Sequence, residues 1–583
     1  MKNKIVTILK DLYAYKYTYI LRATILQLVI TTLGSYVLSL LLRAALVSSD
    51  LPGLTIDNLS SFLINPMTLG LLLLYLFALA FLVFFEFTLL VEMLRYKEEK
   101  LRLTLSRLKE DIGNFFTSLS GGHIVAFLVY LILTIPFLQL FLSSALLENL
   151  YIPKFISGEL VKTTSGSVIY YGLYALLGYL NLRFIYTLPL TVTNKGQHFA
   201  QSMAQSWKMT KGRKLFALSG LLLVLFILMI VTMVFVVLGI SIASVLDSNK
   251  SDLLIETLFL SFVWGTVFAA SLLFKLGFLS YLLHVLDLEK AEQDQLTPQK
   301  PKKGRSFALV ALLIAIGGVS FIYNSSGLSS QKTENIQVIA HRGLVSKGVE
   351  NSLEALEAAA KAGADYVEMD VIYSKDGQFV VSHDDNLKRL TGKNIAISDS
   401  KAEQVVGLPI HQNGHKSHLV SFDTYVKKAK ELGIKLLVEL KPTGKEARNY
   451  EQDFVDKLNQ LGVSRDYLVM SLDLQTVEKV KRLDKNLTVG YTISLQVGDF
   501  TNQTVDFYAI EDFSYNEWLA ASAHAKGKKI YAWTINAEED ITKYLQSSSD
   551  GIITDYPTDV KEMKANFKKD DSYLEYFLRI FSL

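Results

Sequence analysis

The chain has 583 residues, of which 50% are hydrophobic, and a formal net charge of only +3. Because a single hydrophobic core stops growing at roughly 250 to 300 residues, this length predicts at least two domains. The near-neutral charge gives no electrostatic support for binding to nucleic acid. The absence of cysteine excludes disulfides, thiolate catalysis and cysteine-ligated metal sites.

Long apolar runs occupy the N-terminal half of the chain. A helix needs about 20 apolar residues to cross the hydrocarbon layer of a membrane. The first run is too long for the core of a signal peptide, so we expect an uncleaved helix. Residues 1–323 are therefore predicted to form an all-α membrane domain with about seven transmembrane helices. The predicted spans lie near residues 23–45, 67–92, 123–145, 168–192, 216–246, 256–286 and 307–323.

Lysine and arginine are unevenly distributed among the connections between these spans. Apart from two arginines at the edges of the first span, four precede it, six lie in 95–109, five in 195–214 and five in 290–305. The intervening loops hold zero, two and one. Since positively charged loops stay in the cytoplasm, this alternation predicts a multi-pass cell-membrane protein with a cytoplasmic N-terminus. The part of the chain after Tyr323 is then expected to be extracellular.

Several polar residues fall inside the predicted spans, notably Glu86, Arg183 and Lys275. Charges at membrane depth are costly and often mark a transport pathway or a lipid-headgroup site. A simpler alternative is that Glu86 and Arg183 pair across the helical bundle or extend their charged ends toward the interface. The sequence leaves both alternatives open.

A second domain follows a short polar stretch at 324–335, which is typical of a flexible linker. Beyond it, eight or nine short β-rich runs alternate with amphipathic helical patterns, which favours parallel strands with crossover helices. Their number and the length of the region favour a closed α/β TIM-type (β/α)₈ barrel over residues 336–565. Residues 566–583 are expected to form an amphipathic C-terminal tail. The candidate strands are 336–340, 366–373, 379–382, 434–439, 467–471, 488–492, 507–510, 530–534 and 551–554.

Chemically capable side chains lie at the ends of these candidate strands. In (β/α)₈ enzymes the active site is built at the C-terminal ends of the barrel strands. We therefore expect these side chains to converge on one mouth of the barrel. They are His341, Arg342, Glu368, Asp370, His383, Asp384, Glu439, Lys441, Trp533 and Asp555.

The acidic members of this set indicate a metal site. Glu368 and Asp370 are two residues apart on one strand, so their side chains point to the same face. With Glu439 from another strand they supply three hard oxygen ligands, which suit Ca²⁺ or Mg²⁺. A divalent cation is therefore the predicted cofactor.

The basic members indicate phosphodiester cleavage. His341 and His383 end different strands and can act as general base and general acid near neutral pH. Arg342 and Lys441 can hold phosphate oxygens, and a metal would offset the negative charge that develops in the transition state. The residues alone thus predict metal-assisted hydrolysis of a phosphodiester.

Longer motifs follow one another between Val338 and Pro557. In this order they resemble the glycerophosphodiester phosphodiesterases, and the N-terminal half is similar to the membrane domain that accompanies some bacterial members of that family. One departure follows Thr391, where the usual glycine-rich pattern is not continued, which leaves substrate choice open. The motifs are AHRG at 340–343, ENS at 350–352, GADYVEMD at 363–370, HDDNL at 383–387, VELK at 438–441, WTIN at 533–536 and GIITDYP at 551–557.

The resemblance implies a role for individual residues. His341 and His383 would be the catalytic acid–base pair, and Glu368, Asp370 and Glu439 would bind the metal. The remaining residues would bind substrate or support the site: Arg342 and Lys441 contact phosphate, Trp533 lines the glycerol pocket, and Glu350, Asn351 and Asp555 support them.

The implied activity is hydrolysis of a glycerophosphodiester to sn-glycerol 3-phosphate and an alcohol by a membrane-tethered exterior domain. Candidate substrates are deacylated phospholipid headgroups, lysophospholipids and glycerophosphate polymers, and membrane lipid is the expected partner. The alternative is a transporter or lipid-handling membrane protein whose barrel is a substrate-binding or sensing module. Retention of both histidines and of the acidic triad favours the enzyme, because binding alone needs no proton-transfer groups.

Overall fold

The computed structural model describes most of the chain in two compact units. One unit comprises Met1–Ala45, Gly70–Ile152 and Ile156–Ser329, and the other comprises Leu46–Leu69, Pro153–Phe155 and Ser330–Leu583. The residues described are 2–49, 51, 53–96, 101–142, 146, 157, 160–161, 164–194, 196–211, 219–248, 252–286, 303–329, 336–500, 504–566, 572–574 and 577.

The first unit is helical in its described residues. A single π-helical turn, Ile30–Gly34, joins α2 to α3. Counting along the chain, and including α4 of the second unit, the helices are α1 Lys2–Ala14, α2 Lys16–Val29, α3 Ser35–Ser48, α4 Ile56–Ile64, α5 Pro66–Arg95, α6 Leu101–Leu119, α7 His123–Leu142, α8 Thr164–Phe184, α9 Thr187–Thr193, α10 Phe199–Met209, α11 Ser219–Leu246, α12 Leu253–Val285 and α13 Lys303–Ser329.

Six helical stretches among the described residues are long and apolar enough to cross a membrane, near six of the seven predicted spans. The remaining predicted span, 123–145, overlaps helix α7, His123–Leu142. There, Lys109–Leu119 and His123–Thr134 pass the same test only together, and they are bent by 98° at the break between them. Two glycines with positive φ, Gly121 and Gly122, form that break. The bent pair is a broken span or a re-entrant loop, which would raise the number of spans to seven.

The ionisable residues inside the spans do not pair as proposed from the sequence. Lys275 Nζ lies 3.0 Å from Glu86 Oε1, and both side chains are buried. Lys275 also donates to Gln27 Oε1 at 2.9 Å. Arg183 instead donates to the backbone carbonyl of Trp207. A hydrogen-bonded ion pair lowers the cost of burying both charges, so a structural role accounts for Glu86 and Lys275.

The second unit contains a closed barrel of eight parallel strands. Their order around the barrel is β2, β3, β7, β8, β9, β11, β12 and β13, and β13 pairs back with β2. The strands of the described chain are β1 Gly53–Leu54, β2 Gln337–Ala340, β3 Tyr366–Tyr373, β4 Phe379–Val381, β5 Pro409–Gln412, β6 His415–His418, β7 Lys435–Leu440, β8 Leu468–Ser471, β9 Thr488–Ile493, β10 Val497–Gly498, β11 Phe507–Glu511, β12 Lys529–Trp533 and β13 Gly551–Thr554.

Helices follow the barrel strands as the alternating sequence pattern predicts. Several begin at side-chain caps: Ser352, Ser421 and Asp473 each accept a hydrogen bond from a backbone N–H of the first turn. Such caps satisfy donors that have no partner within the helix. The helices are α14 Leu353–Lys361, α15 Lys388–Thr391, α16 Ala402–Val405, α17 Phe422–Leu432, α18 Tyr450–Gln460, α19 Leu474–Leu483, α20 Glu517–Ala525, α21 Glu538–Leu545 and α22 Pro557–Asn566.

Buried side chains on the barrel strands point alternately outward and inward, and they form two separate apolar layers. One set of buried side chains packs between the strands and the surrounding helices, for example Val338, Val367 and Val438. The other set forms a smaller cluster that includes Ile339, Leu437 and other strand residues of opposite parity. Successive strand residues point to opposite faces, so the second cluster fills the barrel interior and the strand-end polar residues lie at its rim.

One candidate strand was assigned the wrong role. Residues 379–382 were expected to be a parallel barrel strand, but β4 pairs antiparallel with the end of β3, with Val371 opposite Val381. The turn between them contains Gly377 with a φ of 78°. Only five residues separate this run from the previous strand. That length fits an antiparallel hairpin, whereas parallel neighbours need a crossover of a dozen or more residues.

The predicted linker is partly helical. Helix α13 continues to Ser329, so residues 324–329 of the 324–335 stretch extend the last apolar helix, and 330–335 lie outside the described residues. Most of the predicted tail, 566–583, also lies outside them, although Tyr573 and Phe577 are buried.

Candidate active site

Three carboxylates from two neighbouring strands meet inside the barrel rim. Glu368 and Asp370 lie on β3, and Asp370 is directly opposite Glu439 of β7 in the register of the two strands. One oxygen of each side chain lies within 4.8 Å of the others. All three residues are at least 94% buried, since their exposed fractions are 1%, 0% and 6%. The structure therefore brings together the three residues that the sequence singled out as metal ligands.

The donor atoms of this triad fit a hard divalent cation. Glu368 Oε1, Asp370 Oδ1 and Glu439 Oε1 are buried and make no hydrogen bond within the described structure. A buried charge without a hydrogen-bond partner is strongly unfavourable unless another charge compensates it. Carboxylate oxygens are the ligands that Ca²⁺ and Mg²⁺ prefer. The triad is thus chemically suited to hold such an ion.

Two cationic side chains lie against the same triad. Lys441 Nζ is 3.3 Å from Asp370 Oδ1 and 3.1 Å from Glu439 Oε2. Arg342 Nε is 3.5 Å from Asp370 Oδ2. These two side chains offset part of the negative charge of the triad, and a bound cation or a proton on Glu368 would offset more of it.

The electrostatics follow from this arrangement. Burial raises the pKa of Glu368 well above its ordinary value, and the neighbouring Asp370 and Glu439 raise it further. Burial also acts to raise the pKa of Asp370, but Lys441, His383 and Arg342 outweigh it and hold that pKa far below its usual range. Burial opposes the charge of Lys441, yet Glu439 and Asp370 raise its pKa. A positive charge at Lys441 is therefore favoured.

The loop after β2 is held in a left-handed conformation at two non-glycine residues. Arg342 has a φ of 55° and Asn351 a φ of 59°, a region that ordinary side chains rarely adopt. Hydrogen bonds fix both: the Arg342 N–H donates to Glu368 Oε2 at 2.9 Å, and Asn351 Nδ2 donates to Asp370 Oδ2 at 2.8 Å. Strained residues cluster at functional sites, and here the two residues in this conformation donate hydrogen bonds to two metal-ligand candidates.

His341 is oriented by an acidic partner. Its Nδ1 lies 2.7 Å from Asp555 Oδ1, at the end of β13. Asn536 Nδ2 donates to the other oxygen of Asp555 at 2.6 Å. Burial would raise the pKa of Asp555, but His341 and the Asn536 hydrogen bond lower it to about 2. Because Asp555 contacts Nδ1, the other ring nitrogen of His341, Nε2, is the one that can face a substrate.

His383 has a matching partner, contributed by the antiparallel hairpin. Its Nδ1 lies 2.7 Å from Asp384 Oδ1, and Arg389 Nε donates to the other Asp384 oxygen at 2.7 Å. The preceding Ser382 N–H donates to the backbone carbonyl of Asp370 at 3.1 Å, so the histidine is tied to the strand that carries the triad. Both predicted acid–base histidines thus have a carboxylate at Nδ1.

Glu350 connects the two sides of the site. It is 2% exposed, and Arg389 Nη1 donates to its Oε2 at 2.9 Å while Arg342 Nη1 lies 3.4 Å from its Oε1. Gln412 Nε2 of β5 donates to Oε2 at 2.6 Å. The supporting role of Glu350 is among the sequence predictions, whereas the contacts of Arg389 and Gln412 with it are not. No local pattern distinguishes them, because their partners are distant in the chain.

Trp533 ends β12 and lies at the same end of the barrel. Its indole Nε1 donates to the Ala509 carbonyl of β11 at 2.9 Å, which fixes the ring across two neighbouring strands. The side chain is half-buried, so one part of it can contact a bound molecule.

Comparison with known proteins covers both halves of the chain. The family described as the membrane domain of glycerophosphoryl diester phosphodiesterase matches residues 5–322. The glycerophosphoryl diester phosphodiesterase family matches residues 341–559.

Individual relatives match the C-terminal part. A glycerophosphodiester phosphodiesterase of Caldanaerobacter subterraneus is 26% identical over 228 residues, which is 38% of this chain and 94% of that protein. Human lysophospholipase D GDPD1 is 26% identical over 280 residues, covering 39% of this chain and 86% of that protein. A solved phosphodiesterase of Oleispira antarctica, in complex with the product sn-glycerol-3-phosphate, is 24% identical with a TM-score of 0.35, covering 40% of this chain and 97% of that one.

Proposed function

The chain belongs to the glycerophosphoryl diester phosphodiesterase family and is a phosphoric diester hydrolase, and we propose that its barrel hydrolyses glycerophosphodiesters to sn-glycerol 3-phosphate and an alcohol at the outer surface of the cell membrane, with a divalent cation. The observation that carries this proposal is the pair of histidines, each held at Nδ1 by a carboxylate 2.7 Å away, beside a buried acidic triad.

The histidines supply the proton transfers. Hydrolysis forms a bond from phosphorus to an incoming oxygen and breaks the bond from phosphorus to the leaving alcohol oxygen. One imidazole accepts the proton of the incoming O–H, and the other gives a proton to the leaving oxygen. Asp555 and Asp384 fix the ring orientations of His341 and His383 and stabilise positive charge on them, as carboxylates do in other histidine dyads.

The acidic triad and the cationic side chains beside it would neutralise the negative charge of the phosphoryl group. Glu368, Asp370 and Glu439 would hold the cation, which when bound offsets the negative charge of the phosphoryl oxygens. Arg342 and Lys441, already within 3.5 Å of Asp370, would hold the same oxygens by charge-assisted hydrogen bonds. Trp533 offers a flat apolar face for the glycerol carbons.

The extracellular placement is supported by charge and by the grouping of the chain. The connections are alternately rich and poor in lysine and arginine, which predicts a cytoplasmic N-terminus and an exterior barrel. In addition, Leu46–Leu69 belongs to the same compact unit as the barrel. Because 47–65 carries no lysine or arginine, it is expected outside. Candidate substrates on that side are headgroup diesters, lysophospholipids and glycerophosphate polymers.

A product assay tests the reaction. The full-length chain in detergent should release sn-glycerol 3-phosphate from at least one of glycerophosphocholine, lysophosphatidylcholine and polyglycerophosphate. His341→Ala should abolish nearly all release, whereas His411→Ala, at an exposed position of β5, should not change it. Equal activity of wild type and His341→Ala would refute the acid–base assignment. No release by wild type from any of the three would instead favour a binding or lipid-handling role.

Cysteine labelling tests the sidedness, because the natural chain contains no cysteine. Glu403→Cys, exposed on the barrel, should react with a membrane-impermeant maleimide on intact cells. Lys208→Cys, exposed in the predicted cytoplasmic connection 195–214, should react only after the cells are permeabilised. The reverse pattern would place the barrel inside the cell.

A further inference from the structure

The segment Leu46–Leu69, which lies between the first two predicted spans in sequence, is built into the catalytic unit. Its strand β1 pairs antiparallel with β10, with Gly53 opposite Gly498 and Leu54 opposite Val497. Leu54 and Thr55 are buried, with exposed fractions of 9% and 4%. A connecting segment that only linked two spans would not need to bury these residues, so the pairing calls for an explanation.

The pairing requires glycine at position 53. A Cβ placed there would lie 2.1 Å from the backbone oxygen of Asp499 and 2.5 Å from Gln496 Nε2. Real Cβ contacts are not that short, so any other residue would force the two segments apart. The close approach of the two segments therefore depends on the absence of a side chain at position 53.

Hydrogen bonds order the segment from within. The Thr55 N–H donates to Asn58 Oδ1 at 2.8 Å, and Asn58 Nδ2 donates to the Gly53 carbonyl at 3.0 Å. The first bond satisfies the backbone N–H of Thr55, the residue that caps helix α4, and the second ties the first turn of that helix back to β1. Strand β1 and helix α4 thus form one ordered piece.

This piece adjoins the catalytic face of the barrel. Strand β10 follows the C-terminal end of β9, the fifth barrel strand, and the active site lies at that end of the strands. The Gln496 N–H donates to Ser514 Oγ at 2.9 Å, which ties this loop to the one after β11. In the latter loop, the Asp512 N–H donates to the Trp533 carbonyl at 3.0 Å. A continuous series of contacts therefore joins Gly53 to the strand end that carries Trp533.

We propose that Leu46–Leu69 is a specificity-determining part of the active site, which positions the loops after the fifth and sixth barrel strands for an amphiphilic, single-chain phosphodiester. Helix α4 exposes Leu63 and Ile64, at 41% and 78%, directly before the apolar helix α5. Helix α5 is long and apolar enough to cross a membrane, so an apolar surface just before it would lie beside lipid, which favours a lysophospholipid over a water-soluble headgroup diester. This choice of substrate rests on the proposed function, whereas the pairing of β1 with β10 does not.

Cross-linking tests the pairing alone. In the cysteine-free full-length chain, Leu54→Cys with Val497→Cys should form an intramolecular disulfide in membranes, because cross-strand neighbours lie within bonding reach. The control pairs Leu54→Cys with Leu483→Cys, which is exposed near the opposite end of β9. Cross-linking of both pairs, or of neither, overturns the proposal.

Kinetics of matched glycine variants test the role in specificity. Gly53→Ala should lower kcat/KM for lysophosphatidylcholine relative to glycerophosphocholine by roughly tenfold, as expected when a binding wall shifts. Gly70→Ala, where an added Cβ meets nothing within 4 Å, should leave the ratio unchanged. An unchanged ratio in Gly53→Ala overturns the specificity role. A wild-type chain that cleaves neither substrate would defeat the proposed function and this role with it, while the cross-link still decides the pairing.

Discussion

Substitution of Asp555 by asparagine isolates the effect of one carboxylate charge on His341. Asp555 Oδ1 lies 2.7 Å from His341 Nδ1, and this histidine is the first of the groups that lower the pKa of Asp555 from 3.8 to about 2. A difference of that size corresponds to about 2 kcal/mol of interaction between the ionised carboxylate and its surroundings. Asp555→Asn keeps the shape of the side chain but removes this stabilisation of positive charge on His341. We expect kcat/KM to fall roughly 30-fold if the whole amount is lost in the transition state.

The pH range of that assay follows from the sign of the shift. Because the folded pKa of Asp555 lies below its ordinary value of 3.8, its contribution to stability is fully present above 3.8 and is lost as the pH falls toward 2. Between pH 5 and 8 the carboxylate stays ionised, so acid titration of Asp555 does not contribute to the measured difference.

Initial rates of sn-glycerol 3-phosphate release from the full-length chain give the measurement. Asp466→Asn is the control, since Asp466 is 61% exposed and its partner Lys435 is 3.7 Å away and 53% exposed; exposed pairs contribute little. A loss of less than threefold in Asp555→Asn, or an equal loss in Asp466→Asn, would refute the reasoning.

Three further predictions concern the rest of the site. His383→Ala should lower hydrolysis by about 10²- to 10⁴-fold with an unchanged circular dichroism spectrum, and a loss of the spectrum would show unfolding rather than a catalytic defect. Chelation should abolish activity and either Ca²⁺ or Mg²⁺ should restore it; Glu439→Gln should require more metal for half-maximal recovery, and full activity after chelation would exclude a metal role. Arg389→Lys should lower both Tm and kcat, because one ammonium cannot replace the guanidinium contacts to Asp384 and Glu350; an unchanged Tm and kcat would show that the network is dispensable.

Much of the site could be predicted because its residues lie at strand ends. Glu368 and Asp370 share a face by the two-residue repeat of a strand, and the barrel brings the ends of β3 and β7 together without further information. The predicted members of the triad are therefore close in space. Their roles in binding metal remain a prediction.

The site residues that the sequence did not predict contact partners that are far away in the chain. Arg389 reaches Glu350 from 39 residues away, and Gln412 reaches it from 62. Neither lies at the end of a barrel strand, so the pattern that located the triad could not locate them. The antiparallel direction of β4 has a different origin. Its composition is the same whichever way its partner runs, and only the short connection to β3 indicates the direction.

The sequence by itself determined the apolar spans, the strand–helix alternation and the chemistry available at the strand ends, because each depends on local periodicity and residue type. Only the tertiary structure decided which partners hold His341, His383 and Glu350, and that helices α6 and α7 meet at a sharp bend. It also decided that Gly53, between the first two predicted spans, pairs with Gly498 of the barrel unit. These features depend on which distant segments meet when the chain packs. Periodicity fixes the face on which a side chain lies, whereas packing fixes what it meets there.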